Sequence, residues 1–145
     1  MIKLSKLSDY AIVVLSQLAA DQGRLYTAAV LAQQTGIPEP TVAKVLKLLS
    51  RREIVNSMRG VKGGYAMTRI PSQVTVTELI EALEGPISIT SCADIEVETS
   101  CHIAGLCPMR GSWHKVNVAV KSALNEVFLS DLLIPMHRPE KRGQA

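Results

Sequence analysis

The chain has 145 residues, of which 47% are hydrophobic and 20% charged, a balance that supports one folded domain and argues against disorder. Aromatic residues make up only 3%, so the core is aliphatic and a base-stacking platform for single-stranded nucleic acid is excluded. The net charge of +3 conceals a division: residues 1–70 hold ten Lys/Arg against four Asp/Glu, residues 71–110 one against six, and residues 111–145 five against three, so the first half suits a polyanionic partner.

No apolar run approaches the ~18 residues of a membrane helix. The opening MIKLSKLSDY has no apolar export segment, so a cytoplasmic location is expected. In that compartment three cysteines, an odd number, are not expected to form a structural disulfide set.

Leu4, Leu7, Ala11, Val14 and Leu18 recur at helical spacing and predict a helix over 4–20, with Ser8 and Asp9 placed to cap its start. Asp21-Gln22-Gly23 ends it. Thr27 opens a short second helix that stops at Gly36. Pro40 suits the first turn of a third helix reaching about Arg52, because its missing N–H is not needed there. Val42, Val45, Leu46 and Leu49 form the apolar stripe of that helix, and Thr41, Lys44, Lys47 and Arg51 lie off it. Two short helices joined by a Gly-containing turn are a helix-turn-helix pattern.

Ile54–Met58 and Tyr65–Thr68 read as two strands around Arg59-Gly60-Val61-Lys62-Gly63-Gly64, a hairpin with a basic tip to which Arg69 adds a further charge. A helix-turn-helix followed by such a hairpin is a winged helix. Its second helix is shaped for the major groove, and a basic wing tip for a narrow minor groove. Thr41 and Lys44 are accordingly assigned to base edges and Arg59 to the minor groove. Lys47, Arg51, Ser57 and Lys62 are assigned to phosphates. Thr75 and Glu78 form a capping box that opens another helix, acidic outside and expected to lie away from DNA.

Residues 86–112 have weak periodicity and hold all three cysteines, Cys92, Cys101 and Cys107, at spacings C-x8-C-x5-C. No C-x2-C pair is present, so neither a zinc-finger nor a thioredoxin pattern fits. Thiolates are soft ligands, and an irregular loop suits a metal or cluster; thiol redox sensing and three small buried hydrophobes are the alternatives. Three cysteines leave one coordination position open, for which His102, His114, a carboxylate or another subunit is available. Ser112 is placed to cap a last helix. Along it Trp113, Val116, Val120, Ala123 and Val127 make a heptad-like stripe that a second copy of the chain would cover. No nucleophile–base pair or phosphate loop appears, so an enzyme is not expected.

Taken together, Lys6-Leu7-Ser8-Asp9-Tyr10-Ala11, the wing Arg59–Tyr65, the helix ending Leu83-Glu84-Gly85 and the three-cysteine loop resemble the winged-helix transcription regulators of the IscR/NsrR type. Ala82-Leu83-Glu84-Gly85-Pro86-Ile87 and Gly105-Leu106-Cys107-Pro108 look most like the regulators of SUF-system iron–sulfur assembly. The resemblance implies a mainly α fold with a small β-hairpin wing: a DNA-binding domain over 1–85, a cluster-binding loop over 86–112, a dimerisation helix over 113–134 and a disordered basic tail over 135–145.

It further implies a homodimeric repressor on a palindromic double-stranded DNA operator, with an iron–sulfur cluster on Cys92, Cys101 and Cys107. The fourth ligand it leaves to the partner subunit's Asp9, to His102 or to His114. The same fold with a thiol-redox, zinc or nitric-oxide response is the alternative. The first cysteine spacing is longer than is usual in such proteins, and Pro108, Met109 and Arg110 stand where the IscR branch has its histidine.

Overall fold

The structure, a computed structural model, describes residues 3–93, 101–103, 105–109 and 111–133. Helices α1 (Lys6–Ala20), α2 (Ala28–Thr35) and α3 (Glu39–Arg51) come first. Strands β1 (Val55–Met58) and β2 (Gly64–Met67) follow, then α4 (Val76–Glu84), α5 (Ser112–Asn125) and α6 (Leu129–Leu132). The mainly helical fold with a two-stranded wing matches the expectation. None of the described helices is long and apolar enough to cross a membrane.

One aliphatic core unites α1, α3, α4 and the base of the wing. Ala11, Val14, Leu15 and Leu18 of α1 meet Val42, Val45, Leu46 and Leu49 of α3, and Ile54, Val55, Val74, Leu79 and Leu83 close the cluster. Leu31 anchors α2 to it. Such contacts, fully removed from water, contribute about 1.5–3 kcal/mol per aliphatic side chain.

Several local expectations are met. Thr27 Oγ1 accepts from the Val30 N–H at 3.2 Å. The Thr75–Glu78 capping box closes with bonds of 3.2 and 3.0 Å in its two directions. Pro40 lies in the first turn of α3, where no N–H is required.

The start of α1 differs from its expectation. The helix opens at Lys6, not Leu4, and Leu4 remains 41% exposed. Neither Ser8 nor Asp9 caps it. Ser8 is buried and donates to Glu84 at 2.6 Å, while Glu84 also accepts from the Ser5 N–H at 2.8 Å. The free N–H of the first turn is thus satisfied by a carboxylate from the end of α4.

Helix α4 is not peripheral. Val76, Thr77, Leu79, Ile80, Ala82 and Leu83 are all buried, because α1 and α3 pack on one side and α5 on the other.

The terminal helix is also divided. It opens on Gly111 with no side-chain cap, so Ser112 is its first residue and not its cap. It stops at Asn125, and the chain then returns to the core. Thr75 and Phe128 form an antiparallel bridge, with Val76 N–H to Val127 C=O at 2.9 Å and Leu129 N–H to Val74 C=O at 2.8 Å. Leu129 is fully buried. The backbone groups flanking α4 need partners, and pairing there outcompetes continuation of a single helix over 113–134. Of the expected stripe, Trp113, Val116 and Ala123 stay exposed and Val120 and Val127 are half-buried. The tail expected over 135–145 lies outside the described residues.

Candidate nucleic-acid interface and cysteine segment

Helix α2 ends at Gly36, whose N–H bonds to Ala32 C=O at 2.9 Å, and Pro38 leads directly into α3. The tight turn sets α2 across α3 and leaves one side of α3 uncovered. At 100° per residue, Pro40, Lys44, Lys47 and Arg51 fall opposite the buried stripe of Val42, Val45, Leu46 and Leu49. Lys44, Lys47 and Arg51 are exposed and Thr41 is half-buried at the edge of the stripe. None of the three cations has an ion-pair partner among the described residues.

The wing projects beyond α3. Its strands pair Val55 with Met67 through Met58 with Gly64, which leaves Arg59–Gly63 as the tip. Arg59, Lys62 and Ser57 are exposed, and Val61 at the apex is fully so. Two glycines are sterically required. A Cβ on Gly63 would collide with the Met58 carbonyl oxygen, and one on Gly64 would stand 2.8 Å from that of Tyr26.

The Tyr26 contact adds a one-residue third strand to the sheet. Tyr26 and Tyr65 exchange both backbone bonds, at 2.9 and 2.7 Å. The wing is therefore tied to the chain just before α2, a link that a single residue between two helices gives no sequence signal for.

Arg69 does not belong to the basic surface. Its guanidinium bonds to Glu78 at 3.0 Å and to the Gln73 carbonyl at 3.3 Å. Burial opposes ionisation of Glu78, but hydrogen bonds from Thr75 and Arg69 outweigh it and hold the carboxyl below its ordinary value. Of the seven expected contact residues, Lys44, Lys47 and Arg51 on α3 and Ser57, Arg59 and Lys62 on the wing are exposed and Thr41 is half-buried; none of the five cations has an ion-pair partner among the described residues, whereas Arg69 is paired with Glu78.

The three cysteines lie between α4 and α5 in the chain. Cys92, Cys101 and Cys107 are half-buried and outside disulfides. Among the described residues no three His, Cys, Asp or Glu side chains converge into a ready-made metal cage. The Cys92 sulfur lies 3.4 Å from the Thr90 hydroxyl. Of the expected fourth donors, Asp9 is exposed in the first turn of α1, and His102 is exposed beside Cys101.

His114 is half-buried on α5, its Nδ1 3.3 Å from the Ala93 carbonyl. A carbonyl only accepts, so Nδ1 is the donor in this contact and Nε2 is the ring nitrogen left outside it. Sequence reasoning missed Asn117. It is 3% exposed and is bonded to the backbone of residues 87 and 89. A polar residue interrupting the apolar spacing of α5 was the available signal.

Comparison with known proteins follows the same lines. A family model described as Rrf2, iron-dependent transcriptional regulator, matches residues 4–135. The HTH-type transcriptional repressor NsrR of Streptomyces coelicolor is 28% identical over 133 residues, covering 90% of this chain and 88% of that protein. The structure of CymR, described as the global cysteine regulator of B. subtilis, superposes with a TM-score of 0.64 and 28% identity, covering 92% of this chain and 97% of that one. IscR of T. potens, at 24% identity, shares the fold with a TM-score of 0.62 over 91% of this chain and 86% of that one.

Proposed function

The chain belongs to the Rrf2 family of transcriptional regulators, and on that premise we propose that it is a homodimeric, cytoplasmic repressor whose hold on a palindromic operator is controlled by an iron–sulfur cluster on Cys92, Cys101 and Cys107. As a member of a family of DNA-binding winged-helix regulators it is not an enzyme. Its targets, on this reading, are genes of iron–sulfur cluster assembly.

The observation that carries the DNA surface is the grouping of exposed cations along one face of α3 and at the wing tip. Lys44, Lys47 and Arg51 on α3 and Arg59 and Lys62 on the wing have no ion-pair partner among the described residues; Lys3, Lys6, Arg52 and Lys115 are also unpaired but lie outside that face and tip, and Arg24, Arg69 and Lys121 are paired. Lys44 and Thr41 read bases, Arg59 enters the minor groove, and Lys47, Arg51, Ser57 and Lys62 hold phosphates. The exposed Trp113 and Val116 on α5 offer an apolar face to a second copy, which sets two α3 helices for half-sites about one DNA turn apart.

The donor chemistry fits the cluster. Three thiols outside disulfides supply soft ligands. His114 suits the fourth position better than His102 or the partner subunit's Asp9, because its Nδ1 is already engaged by the Ala93 carbonyl, which singles out Nε2 as the nitrogen open to a ligand. When bound, such a cluster supplies redox chemistry and lability toward oxidants and nitric oxide. The chain's own part is to carry the state of the cysteine segment through α5 and α4 to α3.

A second reading has its own support: the thiols are half-exposed and the likeness to CymR is as close as that to NsrR. In that reading the same residues respond as a thiol-redox or zinc sensor. Anaerobic purification with iron, sulfide and zinc analysis decides. Visible charge-transfer absorption, lost when Cys92, Cys101 and Cys107 are all changed to Ala, is expected. One zinc and no acid-labile sulfide, or operator binding indifferent to the triple change, would end the cluster reading.

A further inference from the structure

Asn117 is the one buried polar side chain on α5, a helix that leaves the apolar Trp113, Val116 and Val118 exposed. Its Oδ1 accepts from the Ile89 N–H at 3.2 Å and its Nδ2 donates to the Ile87 carbonyl at 3.3 Å. The carboxamide therefore takes the place of a neighbouring strand for residues 87–89. One turn earlier on the same helix, His114 holds the Ala93 carbonyl, and Ala93 itself is fully buried. The two side chains bracket residues 87–93, with Cys92 inside the bracket.

An aliphatic residue at 117 would pack at lower desolvation cost but would leave the Ile89 N–H and Ile87 carbonyl without partners. The polar choice specifies where the segment sits along α5. Helix α5 is in turn tied to α4. Thr77 Oγ1 donates to the Lys121 carbonyl at 3.3 Å, and Lys121 pairs with Glu81 at 3.7 Å. Helix α4 packs on α3.

We propose that Asn117 is the positioning residue for Cys92: its carboxamide fixes residues 87–93 on α5, so that engagement of the Cys92 thiol is transmitted to α5 and α4 instead of being absorbed by a loose loop. The transmission part rests on the cysteine-sensing reading above. The positioning part does not.

The test begins with cluster-free, reduced protein and iodoacetamide, with each cysteine followed separately by mass spectrometry. Asn117→Ala is expected to raise the alkylation rate of Cys92 about tenfold and to change Cys101 and Cys107 less than twofold. Val118→Ala, on the exposed neighbouring position, is expected to change none of them. In operator binding, Asn117→Ala keeps the affinity of the untreated protein, since α3 and the wing are untouched. The ratio of affinities before and after iron and sulfide reconstitution falls toward one.

Should Asn117→Ala not fold, amide exchange of the wild type takes its place. The Ile89 amide, bonded to Oδ1, is expected to exchange at least a hundredfold more slowly than that of an unstructured peptide. Wild-type alkylation kinetics at Cys92 in Asn117→Ala, or an unprotected Ile89 amide, overturns the positioning role. A retained reconstitution response overturns the transmission. If wild-type protein takes up no iron and its operator binding ignores thiol state, the sensing reading falls, while the alkylation and exchange results still decide the position of Cys92.

Discussion

The hydroxyl of Ser8 on α1 donates to the carboxylate of Glu84 on α4 at 2.6 Å, and the same carboxylate accepts from the Ser5 N–H at 2.8 Å. One side chain thus substitutes for a cap on α1 and fastens the first helix to the fourth. These bonds, the Ser8 hydroxyl above all, hold the Glu84 carboxyl below its ordinary value against the opposing effect of burial. Because the carboxyl is depressed in the folded chain, its contribution is present at neutral pH. It is lost as pH falls below the usual carboxylate range and through the folded value. Glu84 is largely exposed, so the effect is modest, about 1 kcal/mol. Glu84→Gln is expected to lower the urea midpoint at pH 7 and to converge with wild type toward pH 3. A gap between the two that does not shrink on acidification would contradict the assignment.

The close passage of β2 along Tyr26 gives a second expectation. A methyl group on Gly64 meets the Tyr26 backbone, whereas one on Gly105 meets nothing within 4 Å. Gly64→Ala is expected to cost about 2 kcal/mol and to lower Tm by roughly 5 °C. Gly105→Ala is expected to leave Tm within about 1 °C. Calorimetry of the two variants checks it, and equal Tm values would mean that the Tyr26–Tyr65 rung is not maintained in solution.

Both relationships mark where sequence reading stops, and what it does reach is local. The apolar stripes of α1 and α3, the Thr27 cap and the Thr75–Glu78 box were legible because each depends on residues within a turn or two of one another. The basic surface was legible for the same reason: Lys44, Lys47 and Arg51 share a helix, and Arg59 and Lys62 share a hairpin tip.

What escaped was long-range pairing of polar groups. Ser8 reads as a local cap until Glu84 arrives from 76 residues away. Arg69 reads as a wing cation until Glu78 neutralises it. Phe128 and Leu129 read as the continuation of one helix until the backbone beside Thr75 claims them. In each case the deciding partner belongs to another element, nine residues away for Arg69 and 76 for Ser8, and periodicity within one element carries no information about it.

The Arg69–Glu78 pair separates structural from DNA-facing charge. Arg69 lies 3.0 Å from Glu78 and also binds the Gln73 carbonyl, whereas Lys62 is exposed with no ion-pair partner among the described residues. Arg69→Ala is expected to lower stability by about 1 kcal/mol and to change operator affinity less than twofold. Lys62→Ala is expected to do the reverse: unchanged urea midpoint, and affinity lower by about threefold to tenfold at moderate salt. Chemical denaturation and fluorescence anisotropy on the same preparations read both quantities. A large loss of DNA affinity in Arg69→Ala at wild-type stability would return that residue to the interface.

Within the interface, α3 and the wing tip are expected to respond differently to salt and to sequence. Lys47 points away from the α3 core, and on the proposed assignment to phosphate Lys47→Ala is expected to weaken binding to all duplexes by a similar factor. Because one phosphate contact releases roughly 0.9 counterion from B-DNA, the slope of log affinity against log salt becomes shallower by about one unit. Arg59, at the wing tip, is the residue proposed for the minor groove, whose potential is most negative where A/T tracts narrow it. Arg59→Ala is therefore expected to lose about tenfold on operators with A/T-rich flanks and little on G/C-rich ones. The two variants differ in what they change, not only in how much. If both simply scale affinity by the same factor on every duplex, the division of labour between helix and wing is wrong, even though both residues touch DNA.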